Sequence, residues 1–260
     1  MTASIRQNRC APRWTSQALL LVLLSNILLL VGIQAFLIPP PASTNRRGSW
    51  TSLALSSTTS KDPAIRFLGQ GPRAIVRPGT VLVAPKSEYH HFYRQAAMFI
   101  YAMGEDDDYD NKYMIRAAII DHPTPFTLGE MANSSLLESI KNNPMAENLI
   151  YRGGDKGGDN VFMLHNQPGI GNGDMIGTSD LYQGGLQDAL LACQQGQAKP
   201  QDFKFFFNFC QFTEEELESM LDDDPWIAVE VPSHYVLSAE WDRSECWKQL
   251  RNALQEHTDA

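Results

Sequence analysis

Beyond residue 75, apolar residues recur with two different spacings, and these spacings predict the strands and the helices of the chain. Short apolar runs with polar or turn residues between them indicate strands. These runs are Thr80–Ala84, Gln95–Tyr101, Tyr113–Asp121, Leu149–Tyr151, Asn160–His165, Phe203–Phe212 and Trp226–Val231. The acidic turn Gly104–Asp110 separates the second run from the third, so these two runs are predicted to form a hairpin.

Helices are predicted where apolar residues lie three or four positions apart. Leu186–Gln195 carries such a stripe, and Gly196 is suited to end that helix. A closing amphipathic helix is indicated by Trp247, Leu250, Arg251 and Leu254. Capping-box spellings, which mark helix starts, occur at Thr127–Glu130, Ser135–Glu138 and Thr213–Glu216.

Strands and helices alternate irregularly, without an internal repeat or a regular strand–helix–strand rhythm. Such a mixture is typical of an α+β fold rather than a doubly wound parallel sheet. The sequence therefore predicts a single α+β domain, with a mixed, largely antiparallel sheet flanked by helices. We place this domain at residues 71–260.

The beginning of the chain has a different composition, because residues 1–61 contain no Asp or Glu. Three arginines precede the apolar run 18–31, and small residues follow it up to Ala35. This order is typical of a secretory signal peptide, here residues 1–35. The run is shorter than the ~20 residues that a spanning helix needs, so an uncleaved anchor is the less favoured alternative.

Residues 36–70 begin as a stretch rich in Ser and Thr with Arg and no acid, which is the composition of a disordered transit peptide. A signal peptide, then Phe36, then this stretch resembles the bipartite presequences of algae with secondary plastids. The resemblance implies delivery to the plastid (chloroplast) stroma. No membrane span is expected in the mature part.

The net charge of residues 1–61, which we call the leader, differs in sign from that of residues 62–260, which we call the body. The chain has 21 Lys and Arg against 30 Asp and Glu, and six of the bases lie in residues 1–61. The body is left with 15 bases and 30 acids, a formal charge of −15. No basic stripe interrupts this negative charge, so nucleic acid is a disfavoured partner.

Three cysteines remain in the body, namely Cys193, Cys210 and Cys246, and none forms a C-x-x-C pair. An odd number without such a pair predicts free, buried thiols in a reducing compartment. A disulfide or a redox sensor is the alternative.

The order of several motifs resembles the AlgH-like (YqgE-like) family of bacterial and plastid proteins, over about residues 75–255. The motifs are Pro78–Pro85, His91-Phe92, Tyr151–Gly154, Val161–His165, Thr178–Leu191 and Phe206–Trp226. Three places depart from the family pattern: Asp121-His122-Pro123 replaces Asn-Lys/Arg-Pro, Gly153–Lys156 replaces Gly-Gly-Pro-Val, and Cys210–Phe212 replaces a Gly-Trp pair. The resemblance implies an α+β domain and supplies no catalytic mechanism.

One possible ligand pocket is suggested by Gly153, Gly154, His165 and Gly173, because a histidine at a strand end lies beside glycine-rich segments. The glycines could present backbone N–H groups to an anion. Neither glycine segment matches a phosphate-binding motif, so ordinary turns and a structural histidine are the favoured interpretation.

Other candidate chemistry is weak. His90, His91 and His122 lack the spaced partners of a zinc site, and Glu105–Asp110 lacks the register of a calcium loop. We predict no metal and no cofactor. Phe203, Phe205, Phe207 and Phe209 are predicted to fall on one face of a strand. They are interpreted as core, although they could also grip a ligand.

These observations predict a non-catalytic protein that acts in regulation or through an unidentified protein partner. The alternative is a small-ligand binder or an enzyme that uses a pocket near His165 and the glycine-rich turns.

Overall fold

The computed structural model describes residues 65–106, 112–131, 138–171, 173–239 and 242–258. They belong to one compact unit, Thr58–Ala260. The predicted signal peptide, the transit peptide up to residue 64, the tip of the acidic turn and the helix start at Ser135 lie outside the described residues.

In this described part, ten strands form one sheet. They are β1 (Arg66–Gln70), β2 (Val81–Val83), β3 (Ala97–Asp106), β4 (Lys112–Ile119), β5 (Pro123–Thr127), β6 (Leu149–Arg152), β7 (Lys156–His165), β8 (Tyr182–Gln183), β9 (Phe203–Thr213) and β10 (Ile227–Glu230). The main path runs β1-β10-β2-β3-β4-β9-β6-β5, and β7 joins β8 to β9.

Strand β9 is the junction of this sheet. Its last residues pair with β4, and its earlier residues pair with β7 and with β6. Among the described strands, β6 with β9 is the one parallel pair, and the others are antiparallel. The fold is therefore α+β with a mixed, largely antiparallel sheet, as the sequence predicts.

Helices pack against this sheet. They are α1 (Leu128–Met131), α2 (Glu138–Lys141), α3 (Leu186–Gln194), α4 (Glu214–Asp223), α5 (Ser233–Leu237) and α6 (Glu245–Thr258). Short 3₁₀ turns lie at Gly71–Arg73, Pro144–Glu147 and Pro200–Asp202. Within the described residues, none of the helices combines the length and the apolar character needed to cross a membrane.

The core consists of two apolar clusters. The larger cluster packs the central strands β2, β3, β4 and β10 against helices α4 and α6. The smaller cluster packs β6, β7 and the start of β9 against α3. The sheet therefore holds two separate groups of helices, and β9 contributes to both clusters.

The predicted hairpin is confirmed. Strands β3 and β4 pair antiparallel from Met98 with Ile119 to Asp106 with Lys112. Strand β3 extends five residues beyond the predicted end at Tyr101. The ladder continues into Gly104–Asp106 because main-chain pairing does not require apolar side chains there.

Two predicted capping boxes are confirmed. At the start of α4, Thr213 N donates to Glu216 Oε2 at 2.8 Å, and Glu216 N donates to Thr213 Oγ1 at 3.2 Å. At the start of α1, Thr127 N donates to Glu130 Oε2 at 2.8 Å. Each box satisfies N–H groups that a helix end otherwise leaves unpaired.

Both predicted amphipathic helices bury the predicted stripes. In α3, Ala189, Leu190 and Cys193 are buried, and Gly196 follows with a φ of 69°. Such a left-handed residue just past a helix end is the usual place for glycine. In α6, the buried residues include Trp247, Leu250 and Leu254.

The phenylalanines of β9 do not share one face. Phe203, Phe205 and Phe207 contact the smaller cluster, whereas Phe209 contacts the larger cluster. The reason is Asn208, whose φ of 60° breaks the alternation of the strand and turns the next side chain to the opposite face. The core interpretation of these residues is confirmed, but their predicted alignment is wrong.

Strand β1 lies inside the segment that the sequence assigned to a disordered transit peptide. Arg66–Gln70 pairs antiparallel with β10, so the folded part begins before the predicted start at residue 71. No apolar pattern marks this strand, because its side chains are exposed or half-buried and its contribution is main-chain pairing.

All three cysteines of the body are free and buried. Cys210 lies in β9, and its Sγ contacts Gly153 O at 3.4 Å. Burial raises the pKa of the Cys210 thiol, so the protonated thiol is favoured. The predicted free thiols are therefore present in the fold.

The buried carboxylate of Asp121 connects the central sheet to the last helix. Asp121 is 0% exposed, and it lies two residues after the end of β4. Its Oδ1 accepts a hydrogen bond from Ala97 N at 3.2 Å, and its Oδ2 accepts one from Trp247 N at 3.0 Å. Ser244 N donates to the main-chain oxygen of Asp121 at 2.9 Å. The carboxylate thus caps the first turn of α6 from outside the helix, where negative charge is favourable.

We expect Asp121→Ala to destabilise the protein strongly, because it leaves two buried N–H groups without an acceptor. A loss of about 2 kcal/mol or more in the free energy of unfolding is expected from the usual cost of buried unpaired groups. Urea unfolding of the full-length chain measures the loss. Asp121→Asn keeps one acceptor oxygen and should lose less. A change in Asp121→Ala below about 0.5 kcal/mol would contradict the role of this carboxylate.

Candidate functional site

A cleft opens beside the edge strand β5, immediately after Asp121. We call it the β5–β6 cleft; its volume is about 650 Å³. It is lined by His91, Phe92, His122, Pro123, Thr124, Pro125, Phe126, Met131, Ile150, Arg152, Phe207 and Arg243. Small-molecule sites in proteins commonly have volumes of about 300–1,000 Å³.

Two prolines account for the opening. Pro123 and Pro125 have no N–H group to donate, so β5 cannot form a continuous ladder with β6. The two strands pair at Pro123 with Tyr151 and again at Thr127 with Leu149, with an irregular register between these positions. The Thr124 hydroxyl bridges the gap by donating to Ile150 O at 2.7 Å. The interrupted pairing leaves room for the cleft.

His122 lies at the base of the cleft. Its main-chain oxygen accepts a hydrogen bond from Arg152 N at 2.8 Å, which holds the two residues side by side. The residue is 6% exposed, and its Nε2 has no hydrogen-bond partner among the described residues. The nearest carboxylate oxygen, Asp121 Oδ1, is 4.0 Å from Nε2.

Electrostatics keep His122 neutral. Burial lowers its pKa to about 3, and the positive charges of Arg243 and Arg152 act in the same direction. The contact between His122 and Asp121 is therefore not an ion pair near neutral pH. A neutral imidazole at this position can donate or accept a hydrogen bond without exchanging a proton.

Two arginines flank His122. The Arg152 guanidinium lies over the ring of Phe92, 4.5 Å from the ring centre. The Arg243 guanidinium donates from Nη2 to His91 O at 3.1 Å. Both side chains are largely exposed to solvent, so these contacts orient them without removing them from water. Guanidinium groups keep their positive charge at any physiological pH.

The rest of the lining is mainly apolar. Phe207 and Ile150 come from the sheet, and Phe126 and Met131 form an exposed rim, with 52% and 39% exposure. A second cavity of about 390 Å³ lies next to the cleft, and Met131 and Ile150 line both. The site thus combines a few donor groups with an extended apolar surface, which is the usual composition of a ligand site.

The structure places Gly153 and Gly154 at a close backbone crossing. Gly153 N donates to Phe207 O at 2.9 Å, and its own oxygen accepts from Ile119 N at 2.8 Å. A Cβ on Gly154 would lie 2.1 Å from the backbone carbon of Phe209. These glycines are required because β9 passes directly against them, and the main-chain N–H and oxygen of Gly153 are used within the sheet.

His165 is fully buried at the end of β7. Its Nδ1 accepts a hydrogen bond from Gln167 N at 3.3 Å, and its ring stacks on Tyr182 with centres 5.6 Å apart. Burial lowers the pKa of His165. These contacts match the structural interpretation of this histidine.

The four residues of the predicted pocket do not meet. His165 is opposite Phe203 of β9, whereas Gly153 and Gly154 pack against Asn208 and Phe209. Five to six strand residues separate these positions, or roughly 20 Å. Gly173 is exposed beside β8, where a Cβ would lie 3.1 Å from Gln183 O.

The residues of the cleft are ones that sequence reasoning did not connect. His122 lacks the spaced partners of a zinc site, Arg152 belongs to the Tyr151–Gly154 motif, and Arg243 belongs to none of the motifs. The available signal was the pair of prolines after Asp121-His122, which predicts an irregular edge strand next to two side chains with polar groups. Arg243 is far away in sequence and is brought in by the Ser244–Asp121 hydrogen bond.

The fold and the cleft define the class of protein: an α+β domain with a mixed, largely antiparallel sheet and a ligand-sized cleft at an edge strand. The chain belongs to the AlgH-like family, whose model matches residues 110–258. The match includes all cleft residues except His91 and Phe92. It confirms the resemblance drawn from the motifs.

Individual relatives are similar at low identity. The UPF0301 protein PSHAa2600 of Pseudoalteromonas translucida (strain TAC 125) is 24% identical over 148 residues, which are 57% of this chain and 76% of that protein. Protein DIP2367 from Corynebacterium diphtheriae is 16% identical with a TM-score of 0.49, covering 68% of this chain and 86% of that chain. The AlgH protein from Pseudomonas aeruginosa is 18% identical with a TM-score of 0.48, covering 68% and 87%.

We expect the free energy of unfolding to fall as the pH decreases from the ordinary histidine pKa of 6.5 toward about 3. In this range His122 takes up a proton in the unfolded chain but not in the folded chain, so protonation favours unfolding. His122 contributes at most about 1.4 kcal/mol per pH unit, and His165 acts with the same sign. Urea unfolding at a series of pH values measures the slope, and His122→Gln should reduce it.

The protonation state can be followed directly. The carbon resonances of the His122 ring should remain those of a neutral imidazole well below pH 6.5. A titration midpoint of this ring near 6.5 would contradict the electrostatic description of the cleft.

Proposed function

We propose that this member of the AlgH-like family is a non-catalytic binding protein that acts in regulation, and that the β5–β6 cleft is its binding site. The observation that carries the proposal is the buried, neutral His122, held without a partner at the base of a cleft that is already open. His122 lines a space large enough for a small molecule.

Acid–base chemistry is poorly supported by the same groups. A general base works best when its pKa is near the pH of the reaction, and the pKa of His122 is about 3. The flanking arginines do not release protons at physiological pH. What these side chains offer is hydrogen bonding, positive charge and apolar contact, all of which serve binding.

A regulatory role through a partner protein is supported by the rim of the cleft. Phe126 and Met131 expose 52% and 39% of their surface next to the opening. Exposed apolar residues beside a ligand site provide a surface whose shape would depend on occupancy. Binding of a ligand could in this way change what the protein presents to its partner.

The geometry supports this cleft rather than the alternative pocket at His165. His165 is 0% exposed, Gly153 uses its main-chain N–H and oxygen within the sheet, and Gly154 lies directly against the backbone of β9. A ligand at His165 would require these packed elements to separate.

The test is binding of small molecules from plastid stroma to the purified full-length chain. Molecules that co-purify and raise the unfolding temperature are identified by native mass spectrometry. We expect Pro125→Trp, which fills the cleft from an exposed position, to abolish binding. Pro168→Trp, a matched change at an exposed position outside the cleft lining, should leave binding unchanged.

Two results would contradict the proposal. One is a ligand that is retained equally by Pro125→Trp and the unsubstituted chain. The other is chemical conversion of the bound molecule with multiple turnovers, which would replace a binding role with an enzymatic one.

We also propose that the protein works in the plastid stroma. The support is the acid-free leader with its apolar run and Phe36, together with three buried free thiols, which suit a reducing compartment. Residues 1–70 fused to a fluorescent protein should carry it into the plastid of an alga with secondary plastids. Phe36→Ala is expected to stop the fusion before the stroma, and secretion or a cytosolic signal from the unsubstituted fusion would overturn the assignment.

A further inference from the structure

We propose, on the basis of the binding function above, that the β5–β6 cleft takes a small organic anion: an oxyanion headgroup held by Arg152, Arg243 and His122, on an apolar body that lies against Phe207 and Ile150. The shared chemistry is a carboxylate or a phosphate joined to an aromatic or aliphatic group.

The charge of the cleft is the first argument. The body carries a formal charge of −15, yet the described residues that line the cleft include two arginines and no Asp or Glu. The ion pairs found among the described residues use other bases, so neither guanidinium is neutralised by an acid there. The nearby Asp121 carboxylate points instead to Ala97 N and Trp247 N.

The second argument is the shared location of the two guanidinium groups. Arg152 and Arg243 line the same cleft as His122, and the charges of both lower the pKa of that histidine. Their positions are set independently, by the ring of Phe92 for Arg152 and by His91 O for Arg243. Two positioned guanidinium groups with free N–H donors match the geometry of a carboxylate or phosphate.

The third argument is the unpaired Nε2 atom of His122. Buried polar atoms nearly always have a hydrogen-bond partner, and this one has none among the described residues although its side chain lines the cleft. A rotation of the neutral imidazole, protonated at Nε2, would bring this donor to the oxyanion that the arginines attract. The cleft would then provide three donors that converge on one headgroup.

The apolar lining identifies the other half of the ligand. The remaining wall is mainly apolar and includes Phe207, Ile150 and Phe126, in a cavity of about 650 Å³. Inorganic phosphate alone would leave this surface in contact with water. A ligand with an apolar body of moderate size buries it, and that burial would add to the affinity.

The test compares probes of nearly equal shape and different charge. Benzoate, phenyl phosphate and neutral benzamide are titrated into the purified full-length chain, with the Thr58–Ala260 unit in parallel, and followed by NMR of the His122 ring and the Arg152 amide. We expect saturable shifts with benzoate or phenyl phosphate, and affinity at least about tenfold lower for benzamide, the ratio typical of losing a charge-assisted hydrogen bond. The preferred anion separates a carboxylate site from a phosphate site.

Arg152→Gln and Arg243→Gln should each weaken binding of the anionic probe by about tenfold or more and leave benzamide unaffected. Arg73→Gln makes the same change in charge on an exposed residue outside the cleft lining and should leave both unchanged. An equal loss in Arg73→Gln would overturn the proposal, because it would indicate a general charge effect.

Two further outcomes bear on the inference. If benzamide binds as well as both anions, or if neither anion gives saturable shifts, the anion site is overturned. The binding function is judged separately, by the dependence of stromal ligands on Pro125→Trp, so it can survive when the anion site fails.

Discussion

The buried carboxylate of Asp121 is the interaction on which the rest of this structure depends. A single charged side chain, with no exposure to solvent, connects the start of β3 at Ala97 to the first turn of α6 at Trp247. Placing an ion in the interior is costly unless donors replace its water shell, and here main-chain N–H groups do so. The arrangement fixes the last helix against the central sheet through directional bonds, in addition to the non-directional packing of Trp247 and Leu250.

The hydrogen bonds around Asp121 also position the side chains of the cleft. His122 follows Asp121 directly, and Arg243 precedes Ser244, whose N–H group is bonded to the main chain of Asp121. Arg152 reaches the same place through its own main-chain bond to His122. Three side chains from distant parts of the sequence therefore converge because their backbones are tied to one short segment. Pro123 and Pro125 then keep the adjacent strand from closing over them.

Features of the fold that depend on residues close in sequence could be predicted well. Features that depend on contacts between distant residues could not. The capping box at Thr213, the stripe of α3 and the β3–β4 hairpin depend on residues close in sequence, so their patterns are visible in the chain itself. The turn of β9 at Asn208 depends on a left-handed backbone that Asn tolerates but does not require. Strand β1 depends on pairing with β10, which lies more than 150 residues further along the chain. The same limit applies to the site: glycine pairs indicate where the backbone needs space, and here β9 occupies that space. The convergence of Arg152 and Arg243 could not be read from spacing.

The position of β10 has a consequence for how the chain acquires its sheet. Ile227–Glu230 inserts between β1 and β2, which come from residues 66–83. During synthesis the two N-terminal strands therefore emerge long before the strand that separates them. Their pairing with β10 cannot form until almost the whole polypeptide has been synthesised. Sheets whose paired strands are far apart in sequence form slowly, and their unpaired edges can meanwhile form non-native pairs. The protein is thus expected to depend on chaperones that shield those edges until translation is nearly complete.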